Sequence, residues 1–297
     1  MTTTLNGVPT LRTNLSEYAV TRAMRDGRVK SELVTLDFCG PKPAHNGFKA
    51  MVRENAFDAG ELAIVTFLQA KAYGKPYVLL PAPISGRFQH HCAGFNIDFG
   101  HLDPKDIEGR KVGVRTYTQT TALWIRGILR HEYGVDLDRV TWMTLGDGHL
   151  AEYSDPQNCE RLPAGSSIPE MMLRGELAAA LLGEDMPKDE RVRTLVPDAQ
   201  NAAKDWFVRE GVVPINHMFV VHENVSKQRP DIVRELYRMI VESRSLGEGV
   251  PAVFPPVGLE ANRKGIQLAI DWALDQKIIP RRLSVDELFD EVTGSLA

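Results

Sequence analysis

The chain has 297 residues, 43% of them hydrophobic and 25% charged, with a formal net charge of −4. That length accommodates two lobes of ordinary domain size or one large domain, and the apolar content excludes disorder, collagen and coiled coil. A mildly acidic chain has no general attraction for nucleic acid or anionic lipid, and no run approaches the roughly 18–20 apolar residues of a membrane span.

Along the chain, short apolar runs alternate with amphipathic segments, the pattern of an α/β protein. Strands are predicted at 33–38, 62–67, 77–80, 111–115, 140–144, 177–182, 192–195 and 214–221. Several read as unbroken apolar stretches, as in Met218-Phe-Val-Val221, which fits strands covered on both faces. A helix is expected from about Thr120 to Tyr133, with Leu123, Trp124, Ile128 and Leu129 on its apolar side and Gly134 as its stop. Ile168–Leu173 reads as a short helix. Pro230 opens another, because the first helical position needs no N–H; Ile232, Val233, Leu236, Tyr237, Ile240 and Val241 follow at helical spacing. Ser284-Val-Asp-Glu287 has the spacing of a capping box.

No Gly/Ser-rich or Pro-rich linker divides the chain, but two segments read as crossings between lobes. They are Pro81-Ala-Pro-Ile-Ser-Gly86, leading into Arg87-Phe-Gln-His-His91, and Gly211-Val-Val-Pro214, leading into Ile215-Asn-His217. This reading places residues 1–85 and 215–297 in one discontinuous lobe and 86–214 in the other, with a hinged ligand cleft expected between them. Cys39, Cys92 and Cys159 are odd in number, far apart and free of any CxxC pair, so neither a disulfide scaffold nor a structural zinc site is expected. The opening residues 1–7 lack the basic and apolar regions of a secretory signal, which sets a cytoplasmic expectation.

Three segments carry the residue types that chemistry needs. Residues 111–126 read as strand, short polar loop and helix start. A helix N-terminus leaves backbone N–H groups unpaired, and Thr118, Thr120 and Thr121 add hydroxyls, a combination that suits a carboxylate or phosphate. Capping of the helix by its own threonines accounts for the same residues. No Walker A or G-x-G-x-x-G pattern supports a nucleotide. In Arg87-Phe-Gln-His90-His91, an extended chain would send the two imidazoles to opposite faces, which makes a poor metal chelate. One imidazole with Arg87 at a cleft would suit an acid; an exposed His beside a core His is the plainer alternative. His217 stands at the head of an apolar strand, where catalytic groups are often positioned. Glu61 is a strand-edge charge unless the lobes close over it.

The run Tyr117-x-x-Thr120-x-Ala122-x-Trp124-x-Arg126-Gly-Ile-Leu-x-x-Glu132-Tyr-Gly-Val135 resembles the central motif of the 4,5-dihydroxyphthalate decarboxylase family. Matching pieces occur in order: Arg25-Asp-Gly-Arg-Val29, Phe57-Asp58 with Glu61, Phe88 with His90, Met172-Leu-x-Gly-Glu176 and Pro214-Ile-x-His217. The resemblance spans residues 18 to 240. It implies an α/β, two-lobed type 2 periplasmic-binding-protein-like fold, with mixed sheets flanked by helices and an interlobe cleft. The sequence departs from the family pattern at Ala19 and Val20, where Asp and Arg are usual, and at Gln89, where Arg is usual. Arg87 and Arg115, with Arg126 if its helix faces the cleft, are the cations available to replace them.

The activity so implied is decarboxylation of a hydroxylated aromatic (di)carboxylate. His217 or His90 would protonate the ring carbon bearing the carboxylate, and Glu61 would orient an imidazole or accept a hydroxyl. Arg87, Arg115, Tyr117, Thr118, Thr120, Thr121 and Arg126 would hold the acidic groups. The expected partner is a small aromatic or other organic carboxylate, with no nucleic acid and no membrane; a homo-oligomer is compatible. No organic cofactor is implied, and no ligand spacing demands a divalent metal, although His and Glu side chains are at hand for one. Two other readings use the same cleft: a non-catalytic solute-binding protein for a small organic anion, and an enzyme of another reaction type on the same fold.

Overall fold

The computed structural model describes residues 2–3 and 7–296. Part of the opening segment read for a leader therefore lies outside the described residues. The chain divides into two units, one of Met1–Arg87, Ile215–Ile270 and Ile279–Ala297, the other of Phe88–Pro214 and Asp271–Ile278. The stretch Asp271–Ile278, kept with the first lobe by the sequence reading, packs with the middle unit. The His131 ring stacks on Trp272 at 5.3 Å, and Gln276 bonds to the buried Arg126.

The sheet of the first unit has the spatial order Thr2–Thr3, Pro9–Asn14, Ala59–Ala63, Ile215–His222, Tyr77–Gly86, with Thr35–Asp37 also paired to Pro9–Asn14. It is mixed: Pro9–Asn14 runs parallel to Thr35–Asp37 and Ala59–Ala63, while Ile215–His222 is antiparallel to both of its neighbours. Met218, Phe219, Val220 and Val221 are all buried, as the unbroken apolar run predicts. The helix Pro230–Ser245 starts at its proline and buries Ile232, Val233, Leu236 and Ile240. Each of these aliphatics contributes about 1.5–3 kcal/mol on burial.

The predicted strand 62–67 is half helix. The strand is Ala59–Ala63, and the chain turns at Ala63 into the helix Ile64–Ala72, whose residues Ile64 to Ala70 are all buried. A continuous apolar run has no period to separate a core helix from a core strand. Gly60, with φ at +149°, lets this strand lie against Asn14: a Cβ there would sit 2.1 Å from the Asn14 carbonyl oxygen. The Ser284–Glu287 capping box forms, with reciprocal backbone-to-side-chain bonds of 3.2 Å. It opens only the single turn Asp286–Leu288.

The second unit has its own mixed sheet, in the order Val192–Thr194, Ala93–Asn96, Ala179–Leu181, Lys111–Val114, Thr141–Thr144, Cys159–Arg161. Its main helix is Thr120–Tyr133, which ends on Gly134 at φ +64° with the glycine N–H bonded back to the Arg130 carbonyl. That αL stop is the one the sequence predicts. No helix among the described residues is long and apolar enough to cross a membrane.

Candidate functional site

In the first unit, strand register brings together two of the predicted residues. Along the antiparallel pair, His217 is opposite Ala63 and Phe219 is opposite Glu61. Glu61 is therefore the diagonal neighbour of His217 on the same face, within side-chain reach. His217 Nδ1 and Glu61 Oε2 lie 2.6 Å apart. The carboxylate is fully buried, and the imidazole keeps 19% of its side-chain surface.

The second oxygen of Glu61, Oε1, accepts the Ser16 backbone N–H at 2.7 Å. Burial would raise the Glu61 pKa, but the hydrogen bond and charge of His217 and the Ser16 N–H together bring it below the usual carboxylate value. An ionised Glu61 fixes the tautomer: Nδ1 carries the hydrogen and donates it, so Nε2 is the nitrogen left for chemistry.

Residues around this pair hold it in place. Thr21 Oγ1 accepts the Tyr18 N–H and donates to the Ser16 carbonyl, both at 2.8 Å, which shapes the 16–21 turn. The Tyr18 hydroxyl lies 3.4 Å from His217 Nδ1. Ser16 Oγ accepts from Ala44 N at 3.0 Å, and Asn14 Nδ2 donates to Ala44 O at 2.9 Å. Those bonds anchor the turn Ala44–Gly47 ahead of Phe48, whose ring stands edge-on to His217 with centroids 5.3 Å apart. Ser16, Tyr18 and Phe48 are absent from the sequence-derived set, because only the folded turn carries them to His217. Arg87, a predicted anion ligand, is partly buried and follows the strand Tyr77–Gly86 of this unit.

The remaining predicted residues belong to the second unit. His90 is a correction. The segment expected to be extended contains the single turn His90–Cys92, with His90 buried against Trp206 and His91 exposed. Burial, then the charges of His91 and Arg209, lowers the His90 pKa to about 4. A group neutral at pH 7 with only 2% of its surface exposed does not match the proton donor expected of it; it packs as a core histidine.

Arg126 and Tyr117 are corrected too. Arg126 is fully buried, its Nη2 donating to the Tyr117 carbonyl at 2.6 Å and its Nε to Gln276 Oε1 at 2.8 Å. Its guanidinium lies 3.8 Å from the centroid of the Tyr117 ring, and the Tyr117 hydroxyl donates to the Gln276 carbonyl at 3.2 Å. Both residues brace the loop ahead of the helix Thr120–Tyr133 from inside and offer no face to a ligand. Gln276, which links them, was missed because it lies 150 residues from Arg126.

What remains near the loop is the helix start itself. Thr118, Thr120 and Thr121 are at most 6% exposed, and the Gln119 side chain makes no capping bond to the first turn. Arg115 is exposed at the end of the strand Lys111–Val114. This set has the donors an organic acid needs. Among the described residues, no group of three or more His, Cys, Asp or Glu is placed to hold a metal ion.

Comparison with known proteins adds two similar sequences. No family model matches the chain. It is 27% identical over 251 residues to a 4,5-dihydroxyphthalate decarboxylase of Comamonas testosteroni, covering 78% of this chain and 74% of the relative. A second, from Pseudomonas putida, is 28% identical over 206 residues, covering 65% and 79%. The chain is similar in sequence to 4,5-dihydroxyphthalate decarboxylases. Among solved structures, the alkanesulfonate-binding protein SsuA from Xanthomonas axonopodis pv. citri bound to MOPS superposes with a TM-score of 0.63 at 12% identity, over 95% of this chain and 98% of that one. A DSZB variant in complex with biphenyl-2-sulfinic acid gives 0.57 at 14% identity, over 96% and 97%. At such identities these neighbours establish the fold, which is periplasmic-binding-protein-like.

Proposed function

We propose that this chain decarboxylates a hydroxylated aromatic carboxylate of the 4,5-dihydroxyphthalate class, with His217 as the proton donor. The observation that carries the proposal is the buried Glu61 bonded to His217 Nδ1. A carboxylate in that position holds the Nδ1 side of the imidazole and aims the ring. The named relatives supply the reaction class.

In the proposed step, imidazolium Nε2–H gives its proton to the ring carbon that bears the carboxylate. The electron pair of the C–CO₂ bond then returns to the ring as CO₂ leaves, and neutral His217 takes a proton back from solvent. Each turnover thus consumes one proton and releases one CO₂. The ring hydroxyls feed electron density to the carbon being protonated. Within the second unit, the Thr118–Thr121 helix start and Arg115 are proposed to favour an anion through the helix dipole and the guanidinium charge.

The test is CO₂ release from 4,5-dihydroxyphthalate and a panel of hydroxybenzoates, run in D₂O so that the ring carbon acquires deuterium. His217→Ala should lower the rate by about 10²–10⁴-fold, the range for a positioned acid. His90→Gln, changing a core residue, should leave it within a few fold. A full rate in His217→Ala refutes the assignment of the acid. Silence across the panel, with thermal stabilisation by one compound, refutes decarboxylation and favours a non-catalytic anion-binding protein.

A further inference from the structure

The second unit contains a cavity of about 260 Å³ that the proposed chemistry does not use. Lys111, on its wall, begins the strand Lys111–Val114, whereas the Thr118–Thr121 segment follows that strand's other end. Three steps of about 3.3 Å each separate the two ends by about 10 Å along the sheet. The cavity is therefore distinct from the helix-start donors.

Its walls are of two kinds. Leu102, Met172 and Leu177, all at most 5% exposed, give it an apolar floor. Phe99 stands at the rim with 62% of its surface exposed. Its ring is seated over Gly175, where a Cβ would fall 2.6 Å from the ring carbons; a glycine at φ +73° leaves the ring its place. Arg110 and Lys111 supply positive charge. Lys111 has an exposed partner in Glu160 at 3.6 Å, and Glu176 on the wall is taken by Arg174 at 2.5 Å. Arg110 is exposed and pairs with no carboxylate among the described residues.

We propose that this cavity is a second ligand site, for a small aromatic carboxylate whose ring lies against Phe99 and the apolar floor and whose carboxylate meets the Arg110 guanidinium. The volume limits the ligand to a small one of about one ring, since pockets for drug-sized ligands measure roughly 300–1,000 Å³. Guanidinium and carboxylate form a paired, charge-assisted contact, and an aromatic side chain offers its face or edge to a flat ligand. The inference is independent of the decarboxylase reading, because no residue here takes part in that chemistry.

The test uses the full chain with ¹³C-methyl-labelled methionine, titrated with phthalate, the Met172 signal being assigned from Met172→Leu. In the wild type the Met172 methyl should shift saturably at millimolar phthalate or below. Arg110→Glu should weaken this binding by roughly tenfold or more, the scale of one charge-assisted contact. Phe99→Ala should weaken it several-fold. Both residues are exposed, so both variants should keep the wild-type melting temperature and CO₂ release. A Met172 signal that does not move at millimolar phthalate overturns the proposal, as does one that moves equally in wild type and Arg110→Glu. Inorganic phosphate binding as tightly as phthalate overturns the assignment of an aromatic ligand.

Discussion

Replacing Glu61 by glutamine removes one charge and one acceptor from a fully buried position. In the wild type its two oxygens serve two donors, Ser16 N–H at 2.7 Å and His217 Nδ1–H at 2.6 Å. The glutamine carbonyl accepts from one of them, and the NH₂ group must face the other. Either the Ser16 N–H loses its acceptor, or His217 shifts to the tautomer with the hydrogen on Nε2. A lost charge-assisted bond is worth about 1.5–3 kcal/mol, and an unsatisfied buried donor costs about 1–3 kcal/mol. Tautomer relief offsets part of that, leaving a destabilisation of about 2–4 kcal/mol at neutral pH. For a chain of this size the melting temperature should fall by roughly 3–6 °C.

The pH dependence has a definite sign. The folded-state pKa of Glu61 is below its ordinary value of 4.5. Its contribution is therefore fully present above about pH 4.5 and is lost as pH falls through the lower, folded-state value. Thermal unfolding of wild type and Glu61→Gln from pH 3 to pH 8 should show a gap at neutral pH that narrows in acid. The decarboxylation rate of the variant should fall by about 10²-fold or more, because the carboxylate that orients the His217 ring is gone. An unchanged melting temperature at pH 7, or a gap that stays constant into acid, would refute the ionised Glu61–His217 pair.

Further outcomes follow from other buried groups. His90 has its pKa lowered from 6.5 to about 4, so below pH 6.5 an unfolded chain takes up a proton that the folded one does not. Stability falls from pH 6.5 down to about 4 on this account, and His90→Gln should flatten that limb in a melting-temperature profile. Gly127→Ala inside a helix would ordinarily stabilise by about 1 kcal/mol. Here the new Cβ would fall 1.9 Å from the Trp272 ring, so denaturant unfolding should instead show a loss, on the order of 1–3 kcal/mol. Arg126→Met deprives the Tyr117 carbonyl and Gln276 of their buried donor. A loss of about 2–4 kcal/mol is expected, with faster hydrogen exchange in residues 117–121.

Much of the architecture was legible because its signals are local. The helix Thr120–Tyr133 carries its apolar stripe and its Gly134 stop within 15 residues, and Pro230 marks its own helix start. The run 62–67 was not legible, since an unbroken apolar stretch looks alike as strand or helix until its neighbours are known. The strand Pro9–Asn14 and the helix Leu259–Asp275 escaped notice for want of a sharp boundary signal.

The candidate site divides along the same line. Sequence by itself determined the two-lobed α/β class, the ordered family motifs and the residue types able to donate protons or hold an acid. It ranked His90 beside His217 and counted Arg126 among the ligands, because nothing in a residue's type or spacing records its solvent exposure. Only tertiary structure separated them. Antiparallel register set Glu61 under His217 across 156 residues of chain, while packing around Trp206 and Gln276 buried His90 and Arg126. Proton donation and anion binding both require a charged group that solvent or a ligand can reach, and reach is a property of the fold.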